Sequence, residues 1–192
     1  MISGIADTRD IRPLTRPVHV AIAACLLVAV DVGARILPHN PGVTPLVASA
    51  LFAGLLMPGR WAALLVPLAA MLISDQIIGT YDWRVMAVVY AAIAAPALLG
   101  SLGRARYGVA VLGGLALGSS LLFFAASNFA VWLFGGRYAL SLDGLMLCYT
   151  AALPFLKNAV QGDLLWTAVF LTAYRLGQGL FARHAASARS AW

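Results

Sequence analysis

From Tyr107 to Phe134 the chain runs for 28 residues without a charged side chain. A helix of about 20 apolar residues matches the roughly 30 Å hydrocarbon core of a bilayer, so this run has the length of a tilted membrane span. Mostly apolar runs of membrane length, some with one or two charges, recur at Val18–Leu37, Trp61–Gly79, Val85–Leu102 and Asn158–Phe181, with a shorter one at Val43–Met57. Of the 192 residues, 62% are hydrophobic and 10% charged, where soluble domains carry about 25% charged residues. Backbone amides in lipid must be satisfied within the segment, which selects helices. The expected class is therefore an all-α integral membrane protein with six transmembrane helices. Its parts are an N-terminal segment (1–16), the helical domain (17–181) and a tail (182–192).

Charge orients the bundle. With both termini cytoplasmic, Arg9, Arg12, Arg16, Arg60, Arg104, Arg106, Arg175, Arg183 and Arg189 lie inside, against Arg35, Arg84, Arg137 and Lys157 outside. That excess obeys the positive-inside rule and points to a multi-pass protein of a bacterial inner membrane. It also accounts for the net charge of +6 without a nucleic-acid partner. Arg9, Arg12 and Arg16 before the first apolar run resemble a signal peptide. That run is longer than a signal core, however, and lacks a small-residue cleavage site, so it reads as a retained helix. Asp143–Leu156 is too short to cross and holds Pro154, so it reads as a broken, partly inserted segment before a sixth helix that begins at Asn158.

Ionisable groups at membrane depth are costly and usually face the protein interior. The richest stretch runs from Ser127 to Asp163. Asn128 and Trp132 share a helical face at i and i+4. Lys157, Asn158 and Asp163 open the expected sixth helix, whose free N–H groups would favour an anionic or polar partner. The plainer alternative is that Lys157 and Asp163 pair with Asp75 or Arg137 to tie helix ends together. Asp31 and Arg35 form either a local ion pair or a ligand contact. Asp75 lies just before a loop containing Tyr81, Asp82, Trp83 and Arg84, where Trp83 by itself fits an interfacial belt. His39 sits in an HNPG loop and could be solvated or touch a ligand. Asp75, Asn128, Trp132, Lys157, Asn158 and Asp163 are the first candidates for ligand contact, followed by Asp31, His39 and Tyr81.

Catalytic signatures are lacking: there is no GxSxG, HExxH or P-loop, and the histidines are scattered. The expectation is a protein that is not an enzyme and needs neither cofactor nor metal. Cys25 and Cys148 stand in apolar surroundings and read as packing residues. Ala21, Cys25, Ala29 and Gly33 recur every four residues on the first helix, a stripe that suits either packing within the bundle or docking of another membrane protein.

The succession LPHNPGVTPLVASALFAG, RWAALLVPLAAMLISDQIIG, SNFAVWLFGGRY and GLMLCYTAALPFLKNAVQGDLLW, between Arg35 and Tyr174, resembles an uncharacterised bacterial family of small membrane proteins. Its members are described as similar to the substrate-binding S components of energy-coupling-factor (ECF) vitamin transporters. The resemblance implies a six-helix bundle that captures a vitamin-like solute near the outer surface. Its binding loops would be His39–Pro45, Thr80–Arg84 and Arg137–Asp143. It also implies that the Ala21–Gly33 stripe docks a transmembrane coupling protein, with ATPase activity on separate subunits. A structural or assembly subunit of a larger membrane complex is the alternative. A membrane enzyme acting on a lipid or quinone is disfavoured, because no nucleophile–base pair is present.

Overall fold

The structure is a computed structural model and describes residues 13–38, 43–102 and 108–189, the last ten of these as backbone only. Arg9, Arg12, Arg104 and Arg106 of the charge argument, and His39 of the site argument, lie outside the described residues. Among the described residues six helices follow one another: α1 (Pro17–Ile36), α2 (Leu46–Leu56), α3 (Arg60–Ile78), α4 (Trp83–Leu102), α5 (Val109–Phe134) and α6 (Leu142–Arg189). Among the described residues there is no strand. Within the described residues four helices, α1, α3, α4 and α5, are long and apolar enough to cross a membrane.

The other two depart from a simple set of six spans. The 11 residues of α2 rise about 16 Å, half of a hydrocarbon core. Its sequence, LVASALFAGLL, is apolar all round, which suits a helix enclosed on every side. Every residue from Leu46 to Leu55 is buried. Leu51, Phe52 and Leu55 pack on Leu112 and Ala116 of α5 and Leu171 of α6. Ala50 and Ala53 share a cluster with Leu27 of α1, Ala63 and Val66 of α3, and Ala97 of α4. Leu46 and Val47 meet Ala70 and Met71 of α3 and Ile93 of α4. The shortest helix is thus the pillar around which the other five are arranged.

The expected break at Pro154 is absent, because α6 runs unbroken for 48 residues with Pro154 inside it. Proline removes one N–H and bends a helix, but neighbouring contacts can hold the turn in place. Here Tyr149 donates to the carbonyl of Ala125 on α5 (2.6 Å), and the Cys148 thiol to that of Asn128 (3.5 Å), clamping the preceding turn. Consequently Lys157 and Asn158 lie in mid-helix. Their backbone N–H groups are not a free helix terminus, so no helix dipole end favours an anion there.

α1 stands at the periphery against α3 and α2, with only Leu27 and Asp31 buried. Its small-residue stripe is largely open: Ala21, Cys25 and Ala29 are exposed, and nothing lies within 4 Å of a Cβ placed on Gly33. With Val28, Val32, Ala62, Val66 and Ala69, three members of the stripe, Ala21, Cys25 and Ala29, line a shallow apolar groove between α1 and α3.

Candidate functional site

The C-terminal end of α1, the α3–α4 loop and the α5–α6 loop meet at one end of the bundle, where a cavity of about 640 Å³ opens. Its mouth carries Arg35, Tyr81, Asp82 and Arg137, and its walls carry Met71, Val85, Val89 and Ile93 with Phe123, Phe124, Val131 and Phe155. Ser120 and Asp163 also line it. Ser120 lies 14 residues before the end of α5, about 21 Å along the helix from Phe134. The cavity therefore reaches from a cationic mouth to a carboxylate floor along an apolar, partly aromatic shaft.

α6 builds one wall. Ala152, Phe155, Leu156, Ala159 and Asp163 all line the cavity, and their spacing of three and four residues marks one helical face. Lys157 and Gln161 point elsewhere and are exposed. At the floor the Ser120 hydroxyl donates to Asp163 Oδ2. Asp163 is 3% exposed, and no ion pair joins it to a cation among the described residues. Val43 stands 3.1 Å from the position a Cβ on Gly162 would take, which brings the chain before α2 close to this turn.

Beside the mouth is a second polar group. Arg35 donates to Asp75 Oδ1 (2.7 Å) and contacts the Met71 sulfur, while the Tyr90 hydroxyl donates to Asp75 Oδ2 (2.9 Å). Asp75 itself is 1% exposed and lies behind the wall; Arg35 is the member that reaches the cavity. Asp31, fully buried, accepts from Ser49 of α2 (2.6 Å), and its second oxygen has no partner among the described residues.

The α3–α4 loop is held by its own chemistry. Gly79 ends α3 at φ 111°, a conformation that favours glycine. Asp82 accepts from the Arg84 guanidinium (2.9 Å) and from the backbone N–H groups of Arg84 (2.9 Å) and Val85 (3.4 Å), which caps α4. The Arg84 side-chain hydrogen bond in particular holds the Asp82 carboxyl down at about 2. A carboxyl lowered on folding contributes stability that is complete above its ordinary value near 3.8 and is lost as pH falls towards 2. Amide exchange at Arg84 and Val85 should accordingly be unchanged from pH 7 to 4, after correction for intrinsic rates, and become less protected below that. In Asp82→Ala it should be unprotected at every pH.

Of the sequence candidates, Asn128, Asp163 and Tyr81 line the cavity. Asp75 adjoins it through Arg35, and Asp31 is buried against α2. Trp132 donates its indole N–H to the carbonyl of Ala139 (2.9 Å), pinning the α5–α6 loop, and is not in the lining. Lys157 and Asn158 are likewise outside it. Thr44 belongs to the expected binding loop His39–Pro45 and Ser127 opens the polar stretch, whereas Ser120 and the three phenylalanines were not singled out as site residues. Ser119–Ser120 is nevertheless the first polar interruption of the long apolar run after Tyr107, which was a usable signal.

Residues 15–185 match the Family of unknown function (DUF6580). The chain belongs to this family. The matched region contains every residue of the cavity, and the family description assigns it no activity, substrate or partner. No curated protein and no solved structure matches the chain.

Proposed function

We propose that this DUF6580 protein is a membrane-embedded solute-binding subunit, similar to an S component, for uptake of a vitamin-like or other small molecule. The observation that carries the reading is the cavity itself. Pockets for small molecules are mostly apolar, with a few placed polar groups, and have volumes of about 300–1,000 Å³. This cavity has that size, with Arg35 and Arg137 at one end and Asp163 at the other. Phe123, Phe124 and Phe155 offer faces for a ring, and the polar ends would fix its orientation. On this reading six segments traverse the bilayer of a bacterial inner membrane, both termini are cytoplasmic and the mouth faces outward. The open groove between α1 and α3 would receive a transmembrane coupling protein that brings ATPase subunits. The same groove favours the second reading, an assembly subunit of a larger membrane complex.

Native mass spectrometry of the gently solubilised protein, with analysis of the small molecules it releases, separates the two. A stoichiometric organic solute of vitamin size, lost from Arg137→Glu, is the expected result. A stoichiometric protein partner with no small molecule would replace the solute-binding reading by the assembly one.

A further inference from the structure

A hydroxyl inside an apolar helix commonly bonds back to its own backbone one turn earlier. Thr150 does so to Met146 (2.9 Å) and Thr172 to Ala168 (2.8 Å). Thr167 is 5% exposed and its hydroxyl has no partner among the described residues. A buried polar atom without a partner calls for an explanation, often an ion or a water. Thr167 lies one helical turn beyond Asp163, so their side chains are neighbours on the same face of α6. Ser120 joins the pair from α5 by its bond to Asp163.

These groups together form a distinctive donor set: one buried carboxylate with no ion-paired cation among the described residues, and two hydroxyl oxygens, one of them unpartnered. Hard oxygen donors of this kind suit an alkali or alkaline-earth cation; softer metals prefer imidazole or thiolate. Of the two carboxylates that line the cavity, Asp82 stands at the mouth and Asp163 at the floor, so the floor offers one carboxylate, which suits a monovalent cation. An entry path exists, since Asp163 and Ser120 line the cavity.

We propose that the cavity floor is a sodium site, made by the Asp163 carboxylate with the Ser120 and Thr167 hydroxyls and completed by water from the cavity. The ion neutralises a carboxylate at membrane depth and gives the Thr167 oxygen the partner it lacks. The proposal does not require an organic solute in the cavity, so it can fail or succeed separately from the reading above.

The test is thermal unfolding of the full chain in detergent, in sodium, potassium or choline chloride at equal ionic strength. Sodium at about ten times its dissociation constant should raise the midpoint by about 3–5 °C over choline, saturably. Thr167→Val, which keeps the side-chain shape, should lose the sodium increment while remaining at least as stable as the parent in choline. A hydroxyl with a purely structural role predicts the reverse, a loss of equal size in both salts. Asp163→Asn should also lose the increment, and Thr172→Val, whose hydroxyl is bonded within its own helix, should keep it. Should Asp163→Asn fail to fold, Thr167→Val carries the test alone. Equal midpoints in sodium and choline, or an undiminished sodium increment in Thr167→Val, overturn the proposal.

Discussion

Arg35→Ala should destabilise the folded protein by about 3–5 kcal/mol, the usual consequence of leaving one member of a buried ion pair uncompensated. Arg35 is the cation bonded to Asp75, which is 1% exposed and, among the described residues, otherwise accepts only from Tyr90. Without the guanidinium, the Asp75 carboxylate remains enclosed by α3 and α4 with a single donor. Asp75→Ala should cost a similar amount, because it strands both Arg35 and the Tyr90 hydroxyl. The double variant Arg35→Met/Asp75→Leu should recover most of the loss, since replacing both partners removes the desolvation penalty together with the bond. Unfolding in one detergent, followed by helix signal against denaturant, measures all three. A double variant as unstable as the singles would mean that Arg35 and Asp75 act independently. On the proposed solute-binding reading the recovered protein should nonetheless bind solute poorly, because Arg35 is one of the two cationic groups at the cavity mouth.

Gly54→Ala and Gly100→Ala should each cost about 1–3 kcal/mol or more, the range for overfilling a packed interior. The two glycines mark where α2 and α4 cross with no side chain between them. A Cβ on Gly54 would strike the backbone carbonyl of Ala97, and one on Gly100 the carbonyl of Leu51. Neither obstacle is a flexible side chain, so relief requires the helices to separate. Separation would loosen the α2 pillar against every neighbour at once. Gly113→Ala and Gly114→Ala are the internal controls. They lie on α5 with nothing within 4 Å of an added Cβ, and they should be neutral or slightly stabilising through improved helix propensity. If Gly54→Ala melts with the controls, α2 and α4 are not in backbone contact.

Parts of the site could be read from residue type alone. A carboxylate such as Asp163 inside an apolar helix is conspicuous, and so was Asn128 near the end of a charge-free run. Other parts were hidden by chemistry that looks ordinary. Ser120 and Thr167 are tolerated at any position of a membrane helix; the break in the apolar run at Ser119–Ser120 is a faint signal for the first, and only the lack of a partner reveals the second. Lys157 and Trp132 misled for the opposite reason: each is conspicuous by type, yet one faces outward and the other pins a loop. The error at Lys157 traces to Pro154, which was read as breaking the segment before a new helix that begins at Asn158. Ala152, Phe155, Leu156, Ala159 and Asp163 keep one face straight through it.

The sequence by itself determined that this is a helical protein with several membrane-length segments. Run length and the near-absence of charge leave the backbone no other way to satisfy its amides in lipid. Only the tertiary structure decided that α2 is an interior pillar, that α6 is a single helix and that Arg35 joins Asp75. Each of these depends on what stands opposite a residue in space. In a chain where most positions are Ala, Leu, Val or Gly, apolar periodicity barely distinguishes a lipid-facing side from a protein-facing one. The few polar partners and the glycine crossing set the arrangement instead.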